Sequence, residues 1–276
     1  MKKILVPCDF SEPAVQAFRF AAQMAAMNKG EIFLLNVVEV PVLHQSMLVP
    51  VQSYESAFVK KLREKANKNF QKMNEKWGRD VKVSLLVQQG PVLSTLTKFI
   101  TRKRIDLVVM GTHGSSGIRE RTIGSNTEKM VRASTVPVIA VKKAPDISTL
   151  HDIVFPTDLE PGKKKVYTAL KVLQKFFRAR LHLLYVNTPA HFTADQQIEE
   201  RLNQFAKQNQ FRNYSLDIYS DVDEKNGVIH FSSRFKSKIV AMSTHGRKGL
   251  MHWLNGSVAE DVVNHIDCPI WTLAEA

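Results

Sequence analysis

The chain repeats itself. Met110-Gly111-Thr112-His113-Gly114 returns 132 residues later as Met242-Ser243-Thr244-His245-Gly246. The same offset lays Gly117 on Gly249, Gly124 on Gly256, Ser125 on Ser257, Glu128 on Glu260, Val131 on Val263 and Pro137 on Pro269. Ten of 29 ungapped positions agree, where unrelated segments would share about two. The beginnings match too, Ile4-Leu5-Val6-Pro7-Cys8-Asp9 on Ile153-Val154-Phe155-Pro156-Thr157-Asp158, but at an offset of 149, so the second copy is 17 residues shorter through its middle. A repeat of that length is a whole domain, large enough to bury a core of its own. The chain is therefore expected to hold two domains of one fold, 1–146 and 147–276, joined between Lys142 and His151.

Within each copy, short apolar runs alternate with segments of helical period. Strands are expected at 3–7, 31–37, 81–87, 105–110 and 136–141, and again at 152–156, 180–186, 213–219, 238–242 and 269–273. Helices are expected at 12–28, 54–77, 91–103 and 125–133. Continuous apolar strands such as Ile105–Met110 suit a sheet covered on both faces, and strict alternation requires right-handed crossovers. The expected fold is two tandem doubly wound α/β domains, each a five-stranded parallel sheet with helices on both faces.

Charge is held unevenly. Residues 1–146 carry 23 lysines and arginines against 12 acids, and residues 147–276 carry 16 against 14. Such a field favours anionic ligands, but seven of these cations, Lys60, Lys61, Arg63, Lys65, Lys68, Lys72 and Lys76, fall opposite the stripe Phe58, Leu62, Ala66, Phe70, Met73, Trp77 and read as a solvated helix face. Charge alone supports only non-specific attraction to nucleic acid. No stretch is apolar enough for an export signal or a membrane span, so a cytoplasmic protein is expected. Cys8 and Cys268 lack the spacing of a metal site and read as small buried hydrophobes.

In an open parallel sheet, ligands collect beyond the carboxyl ends of the strands, where strand order reverses. There the first copy places Asp9 after strand one, Val37 (or Val38) at the end of strand two, and Gly111-Thr112-His113-Gly114 after strand four, with Gly124-Ser125 opening the next helix. A helix start offers unpaired N–H groups, and glycine lets backbone approach a phosphate without a Cβ in the way. Neither the P-loop nor the dinucleotide fingerprint is present.

Gly111-x2-Gly114-x9-Gly124-Ser125, with Pro7-x-Asp9-Phe10-Ser11, resembles the nucleotide-binding motif of universal stress proteins, and the likeness spans essentially the whole chain, twice. The resemblance implies a tandem universal stress protein and an adenine nucleotide (ATP, or AMP or ADP) as ligand. Asp9 and Val37 would sit around adenosine, and the loop with Ser125 would hold the phosphates. The expected site comprises Pro7, Asp9, Val37, Met110, Gly111, Thr112, His113, Gly114, Gly124, Ser125 and Asn126, with Asp9 the candidate for any Mg²⁺. It also implies that such domains pair through their last strands, here within one chain, leaving further assembly open.

The second copy departs from the motif: Ser243 replaces the first glycine, Lys238 stands where the first copy has Asp106, and Gly90-Pro91 has no counterpart. Asp158, Val186, Gly246, Gly256 and Ser257 make up a second, degenerate site, beside which Arg247-Lys248 would add positive charge. Neither His113 nor His245 has an obvious nucleophile beside it in sequence, and no second carboxylate near the glycine loop presents itself as a base for water, so at most slow hydrolysis is expected. The alternatives to a stress-response regulator binding nucleotide in its first domain are a nucleotide-free interaction module and a slow ATP hydrolase. The apolar segment Val40–Val51 is expected to pack on the surface, or else to serve as a lid or partner patch.

Overall fold

The structure, a computed structural model, describes residues 1–39, 51–112, 125–160, 162–243 and 266–274, and of 51–59 and 125 the backbone alone. It is α/β with a mostly parallel sheet and two compact units, Met1–Gly111 and Thr112–Ala276.

The first unit runs β1 (Lys3–Pro7), α1 (Glu12–Asn28), β2 (Glu31–Val38), α2 (Val51–Trp77), β3 (Lys82–Gln89), α3 (Val92–Lys103) and β4 (Leu107–Gly111). Its strands lie in the order β3-β2-β1-β4, all parallel, so strand order reverses between β1 and β4. Helix α1 begins where Ser11 accepts a hydrogen bond from the Ala14 N–H and proline occupies the first turn, and ends at Lys29 in the left-handed region. Its buried stripe is mostly alanine with Phe18, Phe20 and Met24, which lets the helix lie close on the sheet. On α2 the seven cations are exposed while Ala66 and Met73 are buried, as a solvated face requires.

The second unit opens with α4 (Ser125–Ala133) and β5 (Val138–Val141). There follow β6 (Asp152–Pro156), α5 (Lys164–Phe177), β7 (Arg180–Asn187), α6 (Asp195–Gln208), β8 (Tyr214–Ser220), α7 (Glu224–Ser233), β9 (Lys238–Ser243) and β10 (Ile270–Leu273). Strands β8-β7-β6-β9-β10 are parallel, with the reversal between β6 and β9. Strand β5 then pairs antiparallel with β10, Ile139 opposite Trp271, reinforced by Thr272 Oγ1 donating to the Val138 carbonyl and by Lys142 with Asp267. The last strands of the two sequence copies thus share one ladder, which covers edges that would otherwise present unpaired backbone groups. That pairing explains why the repeat divides the chain near 146 while the compact units divide it before Thr112.

One internal substitution changes the physics of the second core. Where Phe33 packs edge-on against Phe99 in the first copy (5.7 Å between centroids), the second has His182 against Phe231 and Phe235. His182 Nε2 lies 2.8 Å from Asp152 on β6, its Nδ1 lies 2.9 Å from the Ser215 hydroxyl on β8, and that hydroxyl donates to Asp217 at 2.5 Å. Burial alone would lower the His182 pKa, but the hydrogen bonds and charges of Asp217 and Asp152 hold it above its ordinary value. Burial likewise pushes Asp217 up, and His182, Ser215 and the Arg180 charge bring it down below the usual carboxylate range. The raised histidine stabilises the fold fully below its unfolded pKa of about 6.5 and loses that contribution as pH rises through the folded value. The depressed aspartate stabilises above its unfolded value and loses that as pH falls through its folded one. Urea unfolding of the second unit should therefore weaken from pH 6 toward pH 9, and the double variant His182→Phe/Asp217→Leu should flatten that slope. An unchanged slope in the variant would remove the assignment.

Candidate functional site at the carboxyl ends of the strands

In the first unit, register gathers the predicted positions at one edge. Pro7 ends β1 opposite Leu35, Val37 follows two residues beyond, and Gly111 ends β4. Asp9 stands in the turn after β1, where its Oδ1 accepts from both the N–H (2.9 Å) and the hydroxyl (2.5 Å) of Ser11. Phe10 holds a left-handed φ of 65°, and its repeat partner Leu159 holds 61°, so both copies turn the chain identically after the first strand. Met110 and Thr112 are buried, and the Thr112 N–H donates to Val141. Ser125 is the first residue of α4 and Asn126, next on it, is exposed. His113, Gly114 and Gly124, with segment 40–50, lie outside the described residues.

Gly111 is required for a reason the motif does not reveal. A Cβ there would come within 2.1 Å of the Pro13 carbonyl oxygen and 2.8 Å of the Ala14 nitrogen, so the start of α1 rests on this residue. Ser243 takes its place in the second copy, where the opposing helix begins differently. Glu12, the first residue of α1, corresponds to position 161, yet α5 begins at Lys164, after Gly162 with a φ of 105° that only glycine adopts readily. The second copy has unwound the first turn of this helix.

A cavity of about 390 Å³ lies beyond the ends of β6, β7 and β9. Asp158 and Val186, both predicted for the second site, lie on its wall; Gly246, Gly256, Ser257 and Arg247-Lys248 lie outside the described residues. Sequence reasoning missed Lys163, which reaches in from the unwound turn. It is 5% exposed, and its ammonium bonds both Asp158 oxygens (3.1 and 3.0 Å) with Glu160 3.7 Å away. The Tyr167 hydroxyl anchors the Glu160 carbonyl at 2.9 Å. Ser243 is 2% exposed, lines the cavity, and its hydroxyl has no hydrogen-bond partner among the described residues. A buried hydroxyl without a partner is costly, and a ligand in the cavity would satisfy it.

Two other predicted departures lie elsewhere. Asp106 accepts from the N–H groups of Lys2 and Lys3 at the amino end of the sheet, and Lys238 in the second copy donates to the Phe235 carbonyl. The exchange is a matter of strand-end capping, at the opposite edge from the site. The Gly90-Pro91 entry to α3 is replaced by Asp223, whose side chain caps α7 through the Asn226 N–H. The Ser215-His182-Asp152 chain resembles a nucleophilic relay, but the Ser215 hydroxyl is already given to Asp217 rather than to the imidazole. Burial pushes both cysteine thiols up to about 12, which leaves them unreactive.

The sequence model described as the Universal stress protein family matches residues 1–142 and again 149–273. Two universal stress proteins of Methanocaldococcus jannaschii are 32% and 30% identical over 145 and 156 residues, covering 82% and 95% of their own lengths and 51% of this chain in each case. A solved universal stress protein from Archaeoglobus fulgidus matches at 17% identity with a TM-score of 0.76, covering 100% of this chain and 99% of its own, a likeness of fold. Among the described residues no helix is long and apolar enough to cross a membrane.

Proposed function

We propose, for a chain that belongs to the universal stress protein family in two tandem copies, a regulatory role in which the domain at 1–146 binds an adenine nucleotide. The observation that supports this is that β4 ends at Gly111, next to the strand-order reversal, and that α4 begins at Ser125, the first and last residues of Gly111-x2-Gly114-x9-Gly124-Ser125. The start of the nine-residue helix α4, which follows Gly124 in the sequence, is where backbone N–H groups would meet a phosphate, and the lysine- and arginine-rich half of the chain draws anions. Gly111, Gly114, Gly124 and Ser125 would hold the phosphates, and Pro7, Asp9 and Val37 the nucleoside. Asp9 is a candidate for Mg²⁺ through Oδ2, since Ser11 takes Oδ1. Among the described residues of the motif Asp9 is the carboxylate present, and Ser11 already engages it, which favours binding over turnover.

Calorimetric titration with ATP tests the reading. One equivalent per chain is expected to bind, and Gly124→Val to weaken it by about tenfold or more, because its side chain would intrude where phosphate meets the helix start. Gly256→Val should leave that binding unchanged. Loss of ATP binding in the Gly256 variant alone would transfer the site to the second domain.

A further inference from the structure

Helices α2 and α6 hold the same place in the two copies, between the second and third strands, and their charge has diverged. Residues 60–77 of α2 carry seven lysines and arginines against two carboxylates, whereas α6 carries two against three. Solvating a helix in this position therefore does not call for such an excess.

The excess is also ordered. Lys61, Lys65, Lys68, Lys72 and Lys76 follow one another at intervals of three or four residues. They fall within an arc of about 80° and run over about 22 Å of helix axis. All five are exposed, and none forms an ion pair among the described residues. Glu64 and Glu75 lie to one side of the arc. Like charges one turn apart repel, so the row lowers the stability of its own helix, and a polyanion laid along it relieves that repulsion.

One strand of a nucleic acid duplex presents a phosphate about every 3.4 Å of axis, which places about six of them along this row. Two observations favour a duplex over other polyanions. The arc carries no aromatic side chain on which an unpaired base could stack: Phe70 and Trp77 fall on the opposite, half-buried side, and Trp77 is already covered by Arg19 and Lys76. Among the described residues, none of the exposed large hydrophobic side chains lies on α2, so the row has no apolar group to insert into a lipid surface.

We propose that the lysine row of α2 is a binding site for the phosphate backbone of a nucleic acid duplex, held without reading its sequence. The proposal does not depend on either domain binding a nucleotide.

A fluorescent DNA duplex of mixed sequence, titrated with the full chain and followed by anisotropy, is the test. With five phosphates neutralised, log K should fall against log salt with a slope of about −4.5, a loss of several hundredfold between roughly 50 and 200 mM. Lys65→Gln/Lys68→Gln/Lys72→Gln should bring the slope to about −2 and weaken binding at the lower salt by about a hundredfold or more. The melting temperature of this variant should be equal or higher, because the repulsion along the helix is gone. Lys164→Gln/Lys165→Gln/Lys175→Gln removes the same charge from exposed positions on α5 and should leave the slope in place. Equal losses in the two triple variants would mean attraction by net charge alone and would overturn the proposal, as would a duplex that fails to bind at the lower salt. Tighter binding to the single strand, or to phosphatidylserine vesicles, would overturn it as well.

Discussion

Replacing Trp271 by alanine is expected to destabilise the second unit by about 3–5 kcal/mol, the range for deleting a large fully buried aromatic side chain. Trp271 is 0% exposed and heads the largest fully buried side chains among the described residues. It stands in the middle of β10, opposite Ala241 on the parallel side and Ile139 on the antiparallel side. A cavity there would loosen both ladders at once, and β5 has no other described strand partner within its unit to hold it. The indole N–H is buried without a hydrogen-bond partner among the described residues, so Trp271→Phe removes a polar cost along with some volume and should be much milder than alanine. Urea denaturation followed by circular dichroism separates the two variants. A loss of under about 1 kcal/mol for Trp271→Ala, no more than a typical point substitution, would mean that this strand is not a keystone of the unit.

Gly111→Ser, which installs the residue of the second copy in the first, is expected to cost about 3 kcal/mol, the upper range for overpacking a well-filled site. The obstruction is backbone, the Pro13 carbonyl and Ala14 nitrogen, and no rotamer change relieves it. Helix α1 must shift, and with it the Asp9–Ser11 turn hydrogen-bonded at its start, so ATP binding should fall together with stability. The reverse change, Ser243→Gly, should be nearly neutral, because the facing turn before α5 is already unwound at Gly162. Adding Pro13→Gly to Gly111→Ser should recover part of the loss by letting the first turn of α1 yield. If Gly111→Ser unfolds at the same urea concentration as the unmodified chain, the close approach does not constrain the first domain.

These two expectations depend on different kinds of information. The sequence by itself determined the duplication, the alternation of ten strands with helices, and strand limits that fall within two residues of those observed, for example 31–37 against Glu31–Val38. It also named Asp158 and Val186 for a second site, and both residues line the cavity. Those features are written locally, as hydrophobic period, turn residues and self-similarity. Only the tertiary structure decided that β5 would pair with β10, that Gly111 is demanded by Pro13, and that Asp106 and Lys238 work at the edge away from the site. It alone joined Lys163 to Asp158 and His182 to Asp152 and Asp217. Each of these is a contact between residues whose proximity depends on how the chain is turned or on which strands become neighbours. Propensity acts over a few residues, whereas the cost of a missing Cβ space, an unpaired hydroxyl or a buried charge is set by whatever the fold brings alongside.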